Sequence, residues 1–249
     1  MEAVRRILVL LGCCLALQAC GPGAYRWEQP ELPASRTYEV KRGDTLYSIA
    51  WRYGLDYREV ARWNGIGADY LIHPGQVLHL APRANVDAVS ASPPANEPPR
   101  ERIVMEASTP PATATAAASA APMPPLRAGA WQWPAKGAVL AKFGQAVTGK
   151  GITIGGSVGD DVVAAADGRV VYAGSGLIGY GKIIILKHSE EFLSAYGHND
   201  SIHVREGEQV RRGDRIASMG RGPGNTPLLH FEIRVNGEAV DPMKYLPSR

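Results

Sequence analysis

Between Pro82 and Gly129 the chain carries almost nothing that could build a core, and this fixes its architecture before any motif is considered. The segment is dominated by Pro, Ala, Ser and Thr. Such a composition cannot bury enough apolar surface to offset the entropy of ordering the backbone, so the segment is expected to be disordered. Whatever folds must do so in two blocks, Thr37–Ala81 and Ala130–Arg249. As a flexible coil the linker would span roughly 40 Å, and about 150 Å as extended polyproline. One block could then hold a surface while the other searches nearby. Within the linker, Ile103-Val104-Met105 is an apolar island to which no role attaches.

The start of the chain reads as an address. Arg5 and Arg6 precede an apolar run, Ile7–Ala19, that is shorter than the roughly 20 residues a membrane-spanning helix needs. A basic start followed by a short apolar core is the pattern of a secretory signal. All 3 cysteines (Cys13, Cys14 and Cys20) lie here, so no disulfide or thiolate metal site is available to the folded blocks. The run ends in Leu17-Gln18-Ala19-Cys20, which resembles the lipobox of bacterial lipoproteins. That resemblance implies cleavage of 1–19, acylation of Cys20, a tether over 20–36, and an outer-membrane anchor facing the periplasm. Two acyl chains suffice for stable attachment, at about 0.8 kcal/mol per buried methylene. A net charge of +3 gives no case for nucleic acid.

The first block has the order strand, helix, helix, strand. Tyr38-Glu39-Val40 alternates like a strand, and Gly43-Asp44 turns into an apolar helical repeat at Leu46, Ile49, Ala50 and Tyr53. A second helix fits Tyr57–Asn64, and Gln76–Leu80 closes as a strand after the Pro74-Gly75 turn. Tyr38–Leu46, Trp63-Asn64-Gly65-Ile66 and Ile72–Leu78 resemble, in order, the three motifs of a LysM domain. The resemblance implies a shallow groove for the N-acetylglucosamine of peptidoglycan. Gly43, Asp44, Thr45 and Leu46 would line one side, and Ile72, His73 and Pro74 the other. The same Gly43-Asp44-Thr45 also serves as a plain turn and helix cap.

The second block is read as short strands separated by glycine turns: Val162–Ala166, Gly168–Tyr172, Lys182–His188, Glu191–Tyr196, Gln209-Val210, Arg215–Met219 and Leu229–Val235. That spacing predicts an antiparallel sandwich or barrel-like core. Ala165–Gly174, Ser194–His198, Val210–Asp214 and Leu229–Ile233 resemble the LytM or M23 family of zinc peptidases, and the likeness runs over Trp131–Leu246. The whole is therefore expected to be multidomain: a small α+β LysM module and a mainly-β LytM/M23-type domain.

Active members of that family hold zinc with two histidines and one aspartate. The family's His-x-Gly-x-Asp pattern falls on Gly149-Lys150-Gly151-Ile152-Thr153, and its His-x-His pattern on Leu228-Leu229-His230. His230 then stands at a ligand position and His198 at a catalytic one, while Gly149, Thr153 and Leu228 stand where donors are expected. A lone imidazole with a neutral hydroxyl cannot hold the ion or acidify its water. No metal, cofactor or catalysis is expected.

Lipobox, LysM, linker and degenerate LytM together resemble the NlpD-like murein hydrolase activators. That likeness implies stimulation of a periplasmic N-acetylmuramyl-L-alanine amidase in septal wall splitting. The partner cleft would involve Gly149, Lys150, Thr153, His198, Leu228 and His230, with Ile152 and Arg221 adding apolar and basic surface. Two other readings stay open: a passive wall-to-membrane anchor, and a zinc endopeptidase with an atypical site.

Overall fold

The computed structural model describes residues 30–82, 129–146 and 148–249. Cys20, the expected lipid attachment, and most of the expected disordered linker lie outside these residues. Within the first block, β1 (Thr37–Glu39) pairs antiparallel with β2 (Val77–His79), and α1 (Leu46–Tyr53) and α2 (Tyr57–Asn64) lie between them in the chain. Both helices start and stop where their sequence says. Thr45 caps α1 in a reciprocal box with Ser48, and Asp56 caps α2 by accepting from the Arg58 amide. Gly54 and Gly65 end them in the left-handed conformation that an L side chain resists. The cap on α1 is thus Thr45 rather than Asp44, whose carboxylate instead accepts from Tyr38 and pairs with Arg52.

The second block is one antiparallel sheet of ten strands, not a closed barrel. Seven of them run β6 (Gly168–Gly174), β7 (Lys182–Lys187), β8 (Phe192–Ile202), β9 (Gln209–Val210), β10 (Arg215–Arg221), β11 (Pro227–Val235) and β12 (Glu238–Val240). The others are β3 (Val139–Ala141), β4 (Ile152–Gly155) and β5 (Asp161–Val163). The expected strand at Val162–Ala166 is only the short β5, because Ala164 and Ala165 spend their backbone groups on loop partners at Asp214 and Gln132. Strands β3 and β4 have no counterpart in the sequence reading.

Strand β11 is the spine of the block. It pairs with β4 on one side and β8 on the other, so that His230 lies opposite both Thr153 and Gly197. Alternation sends Leu229, Phe231 and Ile233 into the main core beside Ile152, Ile154 and Tyr196. Leu228, His230, Glu232 and Arg234 therefore share the opposite face. Ile152, expected to add apolar area to the cleft, is instead fully buried in that core. Its register partner is Phe231, and period-two geometry gives the two the same face.

The two blocks are packed against each other, contrary to the expectation of a held module and a searching one. Strand β7 shows why. Ile183-Ile184-Ile185-Leu186 is apolar on both faces, and a strand of that kind needs cover on both. Ile184 and Leu186 face the main core, whereas Ile183 and Ile185 join Leu193, Ala195 and the LysM residues Leu46, Ile49, Trp51 and Tyr57 in a second cluster. At the contact, a Cβ added to Gly237, which sits at φ +82, would come within 2.6 Å of the Asp56 backbone.

Candidate functional site

The site lies where β4, β11 and β8 run side by side. His198 and His230 face each other with ring centroids 6.4 Å apart, and both are buried. His198 holds the left-handed backbone conformation, φ +61, costly for a residue with a Cβ, and its amide donates to the Tyr180 carbonyl. Burial, and then the neighbouring His230, push its imidazole down to about 4. Thr153 sits beside His230 on β4, Leu228 begins the same face of β11, and Gly149 lies in the preceding turn at φ +69. The register thus brings Thr153, His198 and His230 together, with Leu228 two residues away along β11.

A network centred on Glu232 fills the floor. The Glu232 carboxylate is fully buried, and four side chains meet it. The Tyr180 hydroxyl donates at 2.8 Å, His230 Nε2 at 2.9 Å and the Thr148 hydroxyl at 3.2 Å, all to Oε1. The Arg234 guanidinium donates twice to Oε2, at 3.1 and 3.2 Å. Burial alone would raise this carboxyl. Arg234, with the bonds from His230 and Tyr180, overrides it and holds the group at about 2. Ionised, Glu232 is an acceptor only, which places a proton on His230 Nε2. His230 Nδ1 and His198 Nε2 are left buried with no hydrogen-bond partner among the described residues.

Lys150 stands at the edge of this network. Burial and nearby Arg234 lower its ammonium, against the pull of Glu232. Gly151 is fixed by close approach, since a Cβ there would sit 2.3 Å from the Phe231 carbonyl oxygen. Arg234, almost wholly buried, reaches the other domain. Its guanidinium lies 3.6 Å from the Trp51 ring centroid and donates to the Trp51 carbonyl at 3.0 Å. A chain of direct contacts therefore runs from His230 through Glu232 and Arg234 to the LysM helix α1. Thr148, Tyr180, Glu232 and Arg234 escaped the sequence reading. The signal for two of them was present: charged residues alternating with Phe231 and Ile233 on a strand too apolar to face water.

In the first block, Gly43, His73 and Pro74 are exposed, and Asp44, Thr45 and Ile72 half-buried. Leu46 is fully buried, so it supports the expected groove from beneath rather than lining its surface. Tyr47, Tyr57 and Tyr70 surround the Lys187 ammonium of the second block, at 6.0, 5.2 and 5.2 Å. Lys187 also pairs with Glu190 at 2.6 Å, and Glu190 accepts from the Tyr57 hydroxyl.

Comparison with known proteins identifies both blocks. The profile of Peptidase family M23 matches residues 147–242, and that of the LysM domain residues 38–81. A Pseudomonas aeruginosa protein named lipoprotein NlpD/LppB homolog is 44% identical, over 86% of this chain and 78% of its own. The chain belongs to the NlpD family. The Escherichia coli murein hydrolase activator NlpD is 38% identical, over 86% of this chain and 68% of its own length. The Haemophilus influenzae outer membrane antigenic lipoprotein B is 37% identical, over 85% and 64% respectively. The M23 fold implies a zinc ion, and the side chains at the expected positions do not fit one. Glycine offers no donor and the Thr153 hydroxyl is a poor one, which leaves His230, through its unbonded Nδ1, as the single good ligand of the three expected positions. Members of the NlpD family are named as activators rather than hydrolases.

Proposed function

We propose that this chain is a non-catalytic lipoprotein, anchored through Cys20 in the outer membrane and facing the periplasm. In this reading it binds peptidoglycan through its LysM groove and activates a periplasmic N-acetylmuramyl-L-alanine amidase during septal wall splitting. One observation carries the reading: Glu232 is fully buried and draws His230, Tyr180, Thr148 and Arg234 into a closed, charge-balanced floor. Hydrolysis would need an open coordination position and an activated water. Here the Glu232 carboxylate is satisfied from within, which makes the floor around it a preorganised binding surface.

The partner surface surrounds that floor. Gly149 and Lys150, half-buried, form its rim, with Thr153, Leu228, His198 and His230 buried beneath. Lys150 offers a cation to an acidic group of the partner, while the buried Leu228 fills the floor. An amidase segment lying there, as a peptide lies in the groove of an active relative, would be held without being cut.

The test mixes the full chain from residue 21, without lipid, with labelled peptidoglycan, with and without amidase. Label release only in the presence of amidase is the expected result. Release by the chain alone, abolished by a chelator, would replace the activator by an endopeptidase.

A further inference from the structure

Trp51 does not belong to the apolar stripe of its own helix. Leu46, Ile49, Ala50 and Tyr53 recur along one face of α1, and at about 100° per residue Trp51 falls on the far side. A helix of that kind needs cover from outside its own module. Trp51 is nonetheless only 2% exposed, because it joins the cluster that α1 shares with Leu177, Ile183 and Ile185 of the second domain.

Two groups of the second domain meet it. The Arg234 guanidinium lies face-on, 3.6 Å from the ring centroid, and donates to the Trp51 carbonyl at 3.0 Å. The Trp51 side chain also meets the Tyr180 hydroxyl. Both groups hold Glu232: Tyr180 donates to its Oε1 at 2.8 Å, and Arg234 donates twice to its Oε2. Glu232 in turn accepts from His230 Nε2 at 2.9 Å, while the Tyr180 carbonyl accepts from the His198 amide at 2.7 Å. Both histidines of the floor are therefore held by groups that Trp51 touches. The guanidinium is constrained twice, at its edge by the carboxylate and on its face by the indole. Without the indole that face would meet water, and the buried pair beneath it would weaken.

We infer that Trp51 is a positioning residue of the partner site, and that the LysM module completes that site by docking. The module that grips the wall then also shapes the surface that grips the enzyme. The part of this inference that concerns the enzyme rests on the activator function proposed above.

The test follows the Nε2 proton of His230 by nuclear magnetic resonance in the full chain from residue 21, where its buried bond to Glu232 should give a slowly exchanging signal. Trp51→Leu should abolish that signal, and Trp51→Phe, which keeps an aromatic face over Arg234, should restore it. In the unaltered chain, the His230 ring proton and the Trp51 indole proton should begin to exchange at the same urea concentration. A His230 signal that survives in Trp51→Leu overturns the inference. So does one that outlasts the indole proton in urea, a result that needs no variant to fold. In the label-release assay, Trp51→Leu should need about tenfold more chain for half-maximal release, at an unchanged plateau, the scale of one buried cation–π contact. An unshifted midpoint in a variant that has lost the His230 signal would remove the partner from this floor. If the unaltered chain stimulates no amidase, the activator reading falls, while the two proton signals still decide the role of Trp51.

Discussion

Arg234 and Glu232 form a buried, hydrogen-bonded ion pair in the second domain. Each is almost wholly buried, and removing one strands the other's charge in the interior. Breaking such a pair costs about 3–5 kcal/mol, whereas replacing both partners by apolar groups is far milder. Arg234→Met is therefore expected to lower unfolding stability in urea by about that amount, and the double variant with Glu232→Met to recover much of it. A second residue-scale prediction concerns acid. His188 is buried between the Asp167 carbonyl and the Ser194 hydroxyl, and burial pushes its imidazole down to about 4. The folded chain thus refuses a proton that the unfolded chain takes near 6.5. Stability should be full above that pH, decline through the window down to about 4, and stay reduced below. The loss amounts to about 3 kcal/mol at 1.36 kcal/mol per unit. Urea midpoints measured across this range should fall for the native chain and stay flatter for His188→Gln. An unchanged slope in that variant would assign the acid sensitivity elsewhere.

Among the elements, β4 and β11 determine whether the site could hold metal at all. Their register puts Thr153 beside His230, and His230 Nδ1 has no partner among the described residues, so one imidazole lone pair stays available. Reinstating donors with Gly149→His and Thr153→Asp should create a three-donor zinc set, despite roughly 1 kcal/mol of backbone strain at the positive φ of residue 149. Competition with a chelating dye should show zinc binding in the double variant. Failure to bind would mean that the pairing of β4 and β11 does not bring these positions together. These strands also mark where sequence stopped being informative. Helix α2 was legible to the residue because Asp56 starts it, Gly65 stops it, and Val60 and Ala61 mark its inner face. Strand β4 was not, since Gly151-Ile152-Thr153 is too short for alternation to emerge, and it matters through partners distant in the chain. The Glu232 network was hidden for the same reason. Thr148, Tyr180 and Arg234 converge only once β11 is laid between β4 and β8.

At the scale of the whole molecule, the docking of the two domains ties the LysM module to the floor of the second domain. Trp51 lies against Arg234, Arg234 holds Glu232, and the tyrosine cage around Lys187 closes the other end of the same interface. Residue 187 is the place to pull these apart, because its ammonium meets three phenol rings and one carboxylate at once. Lys187→Glu sets a carboxylate against Glu190 and the negative faces of the rings, so the attraction that holds the domains becomes repulsion. The main core is untouched, since Phe231 and Ile233 stay on the other face of the sheet, while the second cluster loses the contact of Leu46, Ile49 and Trp51 with Ile183 and Ile185. The expected outcome is a larger radius of gyration in small-angle scattering, with faster amide exchange along β7 and β8 where the LysM cover is lost. Affinity for an N-acetylglucosamine tetramer should persist, because the LysM groove is intact. An unchanged radius of gyration would show that the apolar contact of Leu46, Ile49 and Trp51 with β7, and not the cage around Lys187, holds the domains together.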